Sequence, residues 1–383
     1  MSSLRSVVVG TGFIGPVHVE GLKRAGVDVV GIIGSTAEKS RSACERLKLP
    51  NVYSTLSEAL GDPTVDVVHL TTPNALHFEQ VQAVLAAGKH CLCEKPLAMN
   101  TAQSAELVRL AAASGLVTGV AYNIRFYPLC HEAAARVANG AIGDVISVHG
   151  SYVQDWLLYP RDFNWRVMAE DGGELRAVAD IGTHWLDLIQ FITGSKVTSV
   201  CADLRTVHSQ RFQPVGGAET FSGSQSSSID TQAVDVTTED CGSIMLRFES
   251  GANGSLWVSQ VTAGRKNSLC FELAGTQSAL HWNSESPNQM WIGHRERANE
   301  LLVRDPSLLD SSASGISQYP GGHNEGFPDT FKQLFRSFYG YIERGDSSLP
   351  APFPTFADGH REILICDAIL KSHQERRWMD VCC

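Results

Sequence analysis

Ser6-Val7-Val8-Val9-Gly10-Thr11-Gly12-Phe13-Ile14-Gly15 decides the fold. A short apolar run enters Gly-x-Gly-x-x-Gly, and helical spacing of apolar residues starts at once and stops at Gly26. Each glycine has its own task in such a turn. The first permits the tight reversal, the second lets backbone approach a phosphate, and the third brings helix close to strand. The helix behind them adds free N–H groups and positive potential, which favour an anion. A dinucleotide pyrophosphate meets all these conditions. Gly10, Thr11, Gly12, Phe13, Ile14 and Gly15 are therefore candidate cofactor contacts, with a purely structural glycine turn as the competing reading.

Working outward, residues 27–33 form a continuous apolar run, as in a strand covered on both faces, and 66–71 repeat it. Residues 76–87 read as a helix ended by Gly88, and 90–93 as a short strand. Residues 101–113 read as a helix capped by Thr101, and 117–121 as a further strand. Strands alternating with helices imply parallel pairing through right-handed crossovers. The expectation is an α/β protein opening with a doubly wound Rossmann domain over residues 1–122.

The pattern then changes. Residues 126–139 look helical, and 145–153 alternate as a strand. Residues 243–249 and 255–261 flank a Ser-Gly-Ala-Asn-Gly hairpin signal, and 268–274 and 279–283 follow. These predict an antiparallel sheet in an α+β domain over 123–383, one face free for helices or another subunit. Residues 327–344 and 358–376 read as closing helices. Residues 211–228 are rich in Gly and Ser and read as a mobile loop or oligomer arm.

The 383 residues suit two domains, and 43% hydrophobic with 19% charged residues supports sizeable cores. A net charge of -10 argues against a nucleic-acid partner. No apolar run is long enough for a membrane span, and the start of the chain does not read as a signal peptide. The ten cysteines are scattered, with no Cys-x-x-Cys. The expectation is reduced thiols, a cytoplasmic protein and no metal, since no cluster has ligand spacing.

The tip of the second strand reads Gly34-Ser35-Thr36-Ala37-Glu38-Lys39. An NAD site usually places a carboxylate there for the ribose hydroxyls. Here Ser35, Thr36 and Lys39 suit a 2′-phosphate, which favours NADP over NAD. Glu38 is the missing acid if the strand runs longer, and Lys39 with Arg41 is otherwise a solvated helix face. Thr71, Thr72, Pro73 and Asn74 end the next strand, where ligand contacts gather in such sheets. His77 follows, as a cofactor neighbour or as a capping or core histidine. Glu94-Lys95-Pro96 ends the strand 90–93. Lys95 there points into the cofactor crevice, with proline stiffening the turn; a solvated lysine paired with Glu94 is the alternative. In Asp180-Ile-Gly-Thr-His184 the carboxylate and imidazole lie one helical turn apart, a proton-handling pair or an N-cap with a core histidine.

Together, residues 10–15, Glu94-Lys95-Pro96, Tyr122-Asn123-Ile-Arg125-Phe and Asp180-Ile-Gly-Thr-His184 resemble the Gfo/Idh/MocA oxidoreductase family. The likeness runs to Pro354-Thr355-Phe356 and covers nearly the whole chain. It implies a Rossmann domain followed by a domain with a large, mostly antiparallel open sheet that forms homodimers or homotetramers. It matches Lys95, Asp180 and His184 to the family's catalytic Lys, Asp and His, all three also meeting substrate. The implied reaction moves a hydride between the carbinol carbon of a sugar or polyol and nicotinamide. Glu94, Lys95 and Asn123 then join the cofactor contacts. Candidate substrate residues are Tyr122 and Arg125 after the last Rossmann strand, the aromatic and cationic run Tyr152, Trp156, Tyr159, Arg161, Trp165 and Arg166, and His323. The competing functions are an NAD-assisted glycosidase acting through transient oxidation and a non-catalytic sugar or nucleotide sensor. The intact Lys95, Asp180 and His184 argue against the sensor.

Overall fold

The computed structural model describes residues 4–215, 230–346 and 348–382. The chain divides into two compact units, each with its own core.

The first unit is built on strands β1 (Arg5–Val9), β2 (Asp28–Ile33), β3 (Val67–Leu70), β4 (His90–Cys93) and β5 (Thr118–Val120). They lie in the order β2-β1-β3-β4-β5, and every pair is parallel. The strands are buried almost throughout, which explains the unbroken apolar runs. The strand order reverses between β2 and β3 on either side of β1, so the glycine loop leaves the sheet at the switch point. Gly26, in the left-handed region, stops the helix Ile14–Ala25. Asn100, rather than Thr101, caps the helix Thr101–Ser114, its side chain accepting from the Gln103 amide at 3.0 Å.

The segment 328–363 counts with this first unit and not with the C-terminal one, a correction to the simple division at 122. Its helix, Phe327–Arg344, buries Phe331, Phe335 and Phe338 completely or nearly so. Burying each is worth about 1.5–3 kcal/mol. Gly21 and Gly119 make room for two of these rings: a Cβ would meet Phe335 at 2.9 Å and Phe338 at 3.2 Å. Nothing in local periodicity marks so remote a partner.

The second unit carries a nine-stranded sheet. From edge to edge it runs Glu300–Val303, Gln289–Gly293, Ala279–Asn283, Ser268–Gly275, Val145–Val153, Asn253–Ser259, Cys241–Phe248, Val197–Arg205 and Met379–Asp380. All neighbours are antiparallel except Val145–Val153 with Asn253–Ser259. Trp185, Leu188, Ile189 and Ile192 of the helix Thr183–Thr193 share a core with Val148, Leu246, Leu256 and Val258 of the sheet. The predicted loop 211–228 is in part a strand: Gln210–Pro214 pairs with Thr231–Asp235. Residues 216–228 lie outside the described residues.

Candidate active site

The glycine loop does what its spacing requires. Gly10 has φ of 119°, and a Cβ there would fall 2.4 Å from the Thr71 hydroxyl oxygen. A Cβ on Gly15 would fall 1.9 Å from the Gly10 carbonyl oxygen. A Cβ on Gly12 would meet nothing of the protein within 4 Å. Two glycines are thus demanded by packing, and the middle one borders open space. Phe13, at the N-cap of the following helix, supplies no side-chain acceptor to the first-turn N–H groups. An open flank beside uncapped amides fits a pyrophosphate.

At the end of β2, Ser35, Thr36, Glu38 and Lys39 are all exposed. The Thr36 hydroxyl accepts from the Lys39 amide and so begins the helix Ala37–Leu47. The Lys39 ammonium lies 3.2 Å from the Ser35 hydroxyl. Glu38 therefore sits in the first helical turn, beyond the strand tip. At the end of β3, the Thr71 hydroxyl donates to the Val9 carbonyl at 2.8 Å, and Thr72 donates to Gln80 at 2.6 Å.

Four expected ligand contacts are committed elsewhere in the first unit. His77 is fully buried, its nitrogens 2.8 Å from the Pro96 carbonyl and 3.0 Å from the Thr72 carbonyl. Burial holds its pKa below the usual histidine range. It ties together the turns after β3 and β4 and is a core histidine. Asn123 is buried and donates to Thr330 at 2.7 Å. Tyr122 is wholly buried in the core. Glu94 is buried and faces inward: one oxygen lies 3.0 Å from His18 Nε2, the other 3.2 Å from the Lys95 amide nitrogen. The described hydrogen bonds of His77, Asn123 and Glu94 are thus made within the first unit.

Lys95 itself stands at the carboxyl end of β4, between Glu94 and Pro96. The Lys95–Pro96 bond is cis.

In the second unit, Asp180 does not begin an α-helix. It lies in a wide π-type turn, Val178–Gly182, that leads into the α-helix Thr183–Thr193. Such turns carry one extra residue and occur often at functional sites. The cause lies outside the segment. The buried Glu239 carboxylate accepts from the amides of Arg176, at 2.9 Å, and Val178, at 2.8 Å. Arg176 also pairs with Asp240 and donates to Gln260 at 3.2 Å. Asp180 receives Arg166 Nε at 3.2 Å and Gln260 Nε2 at 2.8 Å on its two oxygens. The Arg166 guanidinium lies 4.4 Å from the Trp165 ring centre. His184 is nearly buried, its ring 6.2 Å from that of Tyr152.

The expected substrate residues divide. Arg125 is spent on a two-pronged pair with Asp187, Nε to Oδ2 at 2.6 Å. Tyr152 is buried and donates to Asn267 at 2.8 Å, and burial together with Asp180 holds its phenol in the neutral form. Trp156 donates to Gln154 at 2.8 Å, and Gln154 donates to Asn267 at 2.7 Å. Tyr152, Gln154, Trp156 and Asn267 thus form one cross-linked wall. His323 is exposed, with its carbonyl held by the buried Arg304. Sequence reading passed over Gln260, Asn267, Glu239 and Asp240, because each comes from a strand or loop far along the chain. Among the described residues, no group of His, Cys, Asp and Glu is placed to hold a metal ion.

Comparison with known proteins bears on this geometry. Residues 4–122 match an oxidoreductase family with an NAD-binding Rossmann fold, and 130–281 match the Gfo/Idh/MocA C-terminal domain. Levoglucosan dehydrogenase of Pseudarthrobacter phenanthrenivorans is 30% identical over 395 residues, spanning 100% of this chain and 99% of that protein. A solved levoglucosan dehydrogenase in complex with NADH and L-sorbose is similar at 28% identity and a TM-score of 0.88, covering 100% of both chains. An oxidoreductase domain protein from Kribbella flavida is similar to the same extent: 28% identity, a TM-score of 0.88 and 100% of both chains.

Proposed function

The chain belongs to the Gfo/Idh/MocA family of NAD-binding oxidoreductases, and from that premise we propose a dehydrogenase acting on a ring hydroxyl of a sugar or polyol. One observation carries the reading to the residues. Lys95 ends β4 in the sheet whose switch-point loop leaves Gly12 bordering open space.

Residues 10–15, at the N-terminus of Ile14–Ala25, would hold the pyrophosphate of a dinucleotide, which when bound would supply the hydride acceptor or donor. Lys95 donates to the carbinol oxygen and stabilises the negative charge that develops there. His184 takes the hydroxyl proton during oxidation and gives it back during reduction. Asp180 keeps its carboxylate oriented through Arg166 and Gln260, and so fixes the polar surroundings of the reacting oxygen. Trp156 and Trp165 are suited to the C–H faces of a ring. The exposed Ser35 and Lys39 offer donors to a 2′-phosphate, so NADP(H) is the preferred coenzyme.

The described cysteines are free thiols, in keeping with a reducing, cytoplasmic setting, and no helix among the described residues is long and apolar enough to cross a membrane. The sheet face opposite the helix Thr183–Thr193 exposes Met245, Trp257, Leu301 and Val303. Covering the adjacent Met245 and Trp257 by a second copy fits a homodimer or homotetramer.

The test is a panel of levoglucosan, L-sorbose and myo-inositol with each coenzyme, read as reduced nicotinamide. At least one sugar is turned over by the natural chain. Lys95→Ala retains NADH binding within about twofold and loses turnover by roughly a hundredfold or more. Substantial turnover by Lys95→Ala removes Lys95 from the chemistry.

A further inference from the structure

Behind Lys95 lies a chain of buried polar groups that the hydride chemistry does not use. It runs from Glu94 to His18 (Oε1 to Nε2, 3.0 Å), then to His69 (Nδ1 to Nδ1, 3.0 Å), and ends at Tyr339 (Nε2 to Oη, 3.0 Å). The four side chains come from the helix after the glycine loop, from β3, from the end of β4 and from the helix Phe327–Arg344. His18 and His69 are fully buried, Tyr339 almost so, and Phe335 packs edge-on against both imidazoles with centroids 5.0 Å away.

Each contact is a shared hydrogen between neighbouring groups: Glu94 Oε1 with His18 Nε2, His18 Nδ1 with His69 Nδ1, and His69 Nε2 with the Tyr339 hydroxyl. All four ring nitrogens are therefore partnered inside the chain. Burial, with His18 alongside, keeps His69 from charging, and burial keeps Tyr339 from losing its proton. The other Glu94 oxygen accepts from the Lys95 backbone amide.

We propose that His18 and His69, terminated by Tyr339, are positioning residues for Lys95: they hold the Glu94 carboxyl group in one orientation, which in turn fixes the Lys95 backbone. This rests on the reading of Lys95 as the residue at the carbinol oxygen. A buried polar chain gives little net stability over apolar side chains of the same shape. What it adds is a single orientation at the strand end that presents the lysine.

The test uses the full chain and the best-turned-over sugar of the panel above. His18→Leu lowers kcat at least tenfold while KM and the NADH dissociation constant stay within about twofold. His18→Gln, whose amide can still reach Glu94, recovers at least a third of the natural kcat. Tyr339→Phe removes only the terminal oxygen and lowers kcat about threefold. Nitrogen-15 spectra of the natural protein show two buried, hydrogen-bonded histidine rings, and their signals change together in Tyr339→Phe. A folded His18→Leu with natural kcat overturns the proposal. So does a drop in NADH affinity as large as that in kcat. If His18→Leu does not fold, unchanged kcat in Tyr339→Phe overturns it. An active Lys95→Ala defeats the underlying reading. An inactive Lys95→Ala beside an unaffected His18→Leu defeats only this inference.

Discussion

Gly12→Ala separates cofactor binding from folding. The new methyl group meets no protein atom within 4 Å, and Gly12 is absent from the glycines held at positive φ. Losing a glycine also reduces the freedom of the unfolded chain, worth about 0.4–1 kcal/mol in favour of the fold. The midpoint of thermal unfolding should therefore hold steady or rise by about 1–4 °C. Binding should behave oppositely, because the methyl group occupies the flank that a pyrophosphate needs. Overfilling a close-packed contact costs about 1–3 kcal/mol, and NADH affinity should fall roughly 5- to 150-fold. Gly15→Ala is the control. Its methyl carbon would lie 1.9 Å from the Gly10 carbonyl oxygen, a contact that only a backbone shift relieves. That variant should lose stability and binding together. Fluorescence titration with NADH and a melting curve on each variant give both quantities. Natural NADH affinity in Gly12→Ala, or destabilisation matching Gly15→Ala, would refute the assignment of 10–15 as the phosphate loop.

Lys39→Glu should move the ratio of kcat/KM for NADP over NAD at least tenfold towards NAD; an unchanged ratio detaches Lys39 from the coenzyme. Asp240 is buried between the guanidiniums of Arg176 and Arg211, which overcome its burial and hold its carboxyl below the usual range. Asp240→Ala strands two buried cations at about 3–5 kcal/mol, lowering the melting midpoint by about 6–20 °C; a shift under a few degrees contradicts that pairing. Burial, with Arg125 adding, lowers the His131 pKa to about 4. The unfolded chain therefore takes up a proton that the fold refuses as pH falls below about 6.5, and stability declines towards pH 4 by up to about 1.4 kcal/mol per unit. His131→Phe should flatten that part of the stability curve, and an unchanged slope from pH 6.5 to 4 disproves the linkage. Trp257→Arg with Met245→Arg should yield monomers by sedimentation; an unaltered assembly places the interface elsewhere.

The first sheet was legible because its determinants are local. Buried parallel strands produce continuous apolar runs, and a turn against phosphate needs glycine at set intervals. The hairpin of Cys241–Phe248 with Asn253–Ser259 was legible for the same reason. What escaped depends on distant partners. Helix Phe327–Arg344 looks like any amphipathic helix, and only its packing at Gly21 and Gly119 assigns it to the first unit. Likewise, Asp180 falls in a wide turn because Glu239, 59 residues on, takes the amides that an N-cap would have served. Arg125 and Asn123 follow β5, and their hydrogen-bond partners Asp187 and Thr330 come from far along the chain. Position along the chain shows which loop a side chain belongs to. It does not show which way a buried hydrogen bond turns it.

In both units a buried carboxylate holds the backbone that carries a proposed reactive residue. Glu94 turns inward to His18 and takes the Lys95 amide, while Glu239 takes the amides at the start of the turn carrying Asp180. A lysine or carboxylate alone at a loop tip would sample many orientations, and catalysis at a carbinol tolerates few. Anchoring the backbone through a buried carboxyl group restricts those orientations. The two anchors are chemically unlike. The first is closed by two imidazoles and a phenol, the second by Arg176 beside Asp240. Removing only the terminal phenol hydroxyl of the first should therefore cost turnover before stability. Truncating a member of the second, which leaves an unpaired buried charge, should cost stability first.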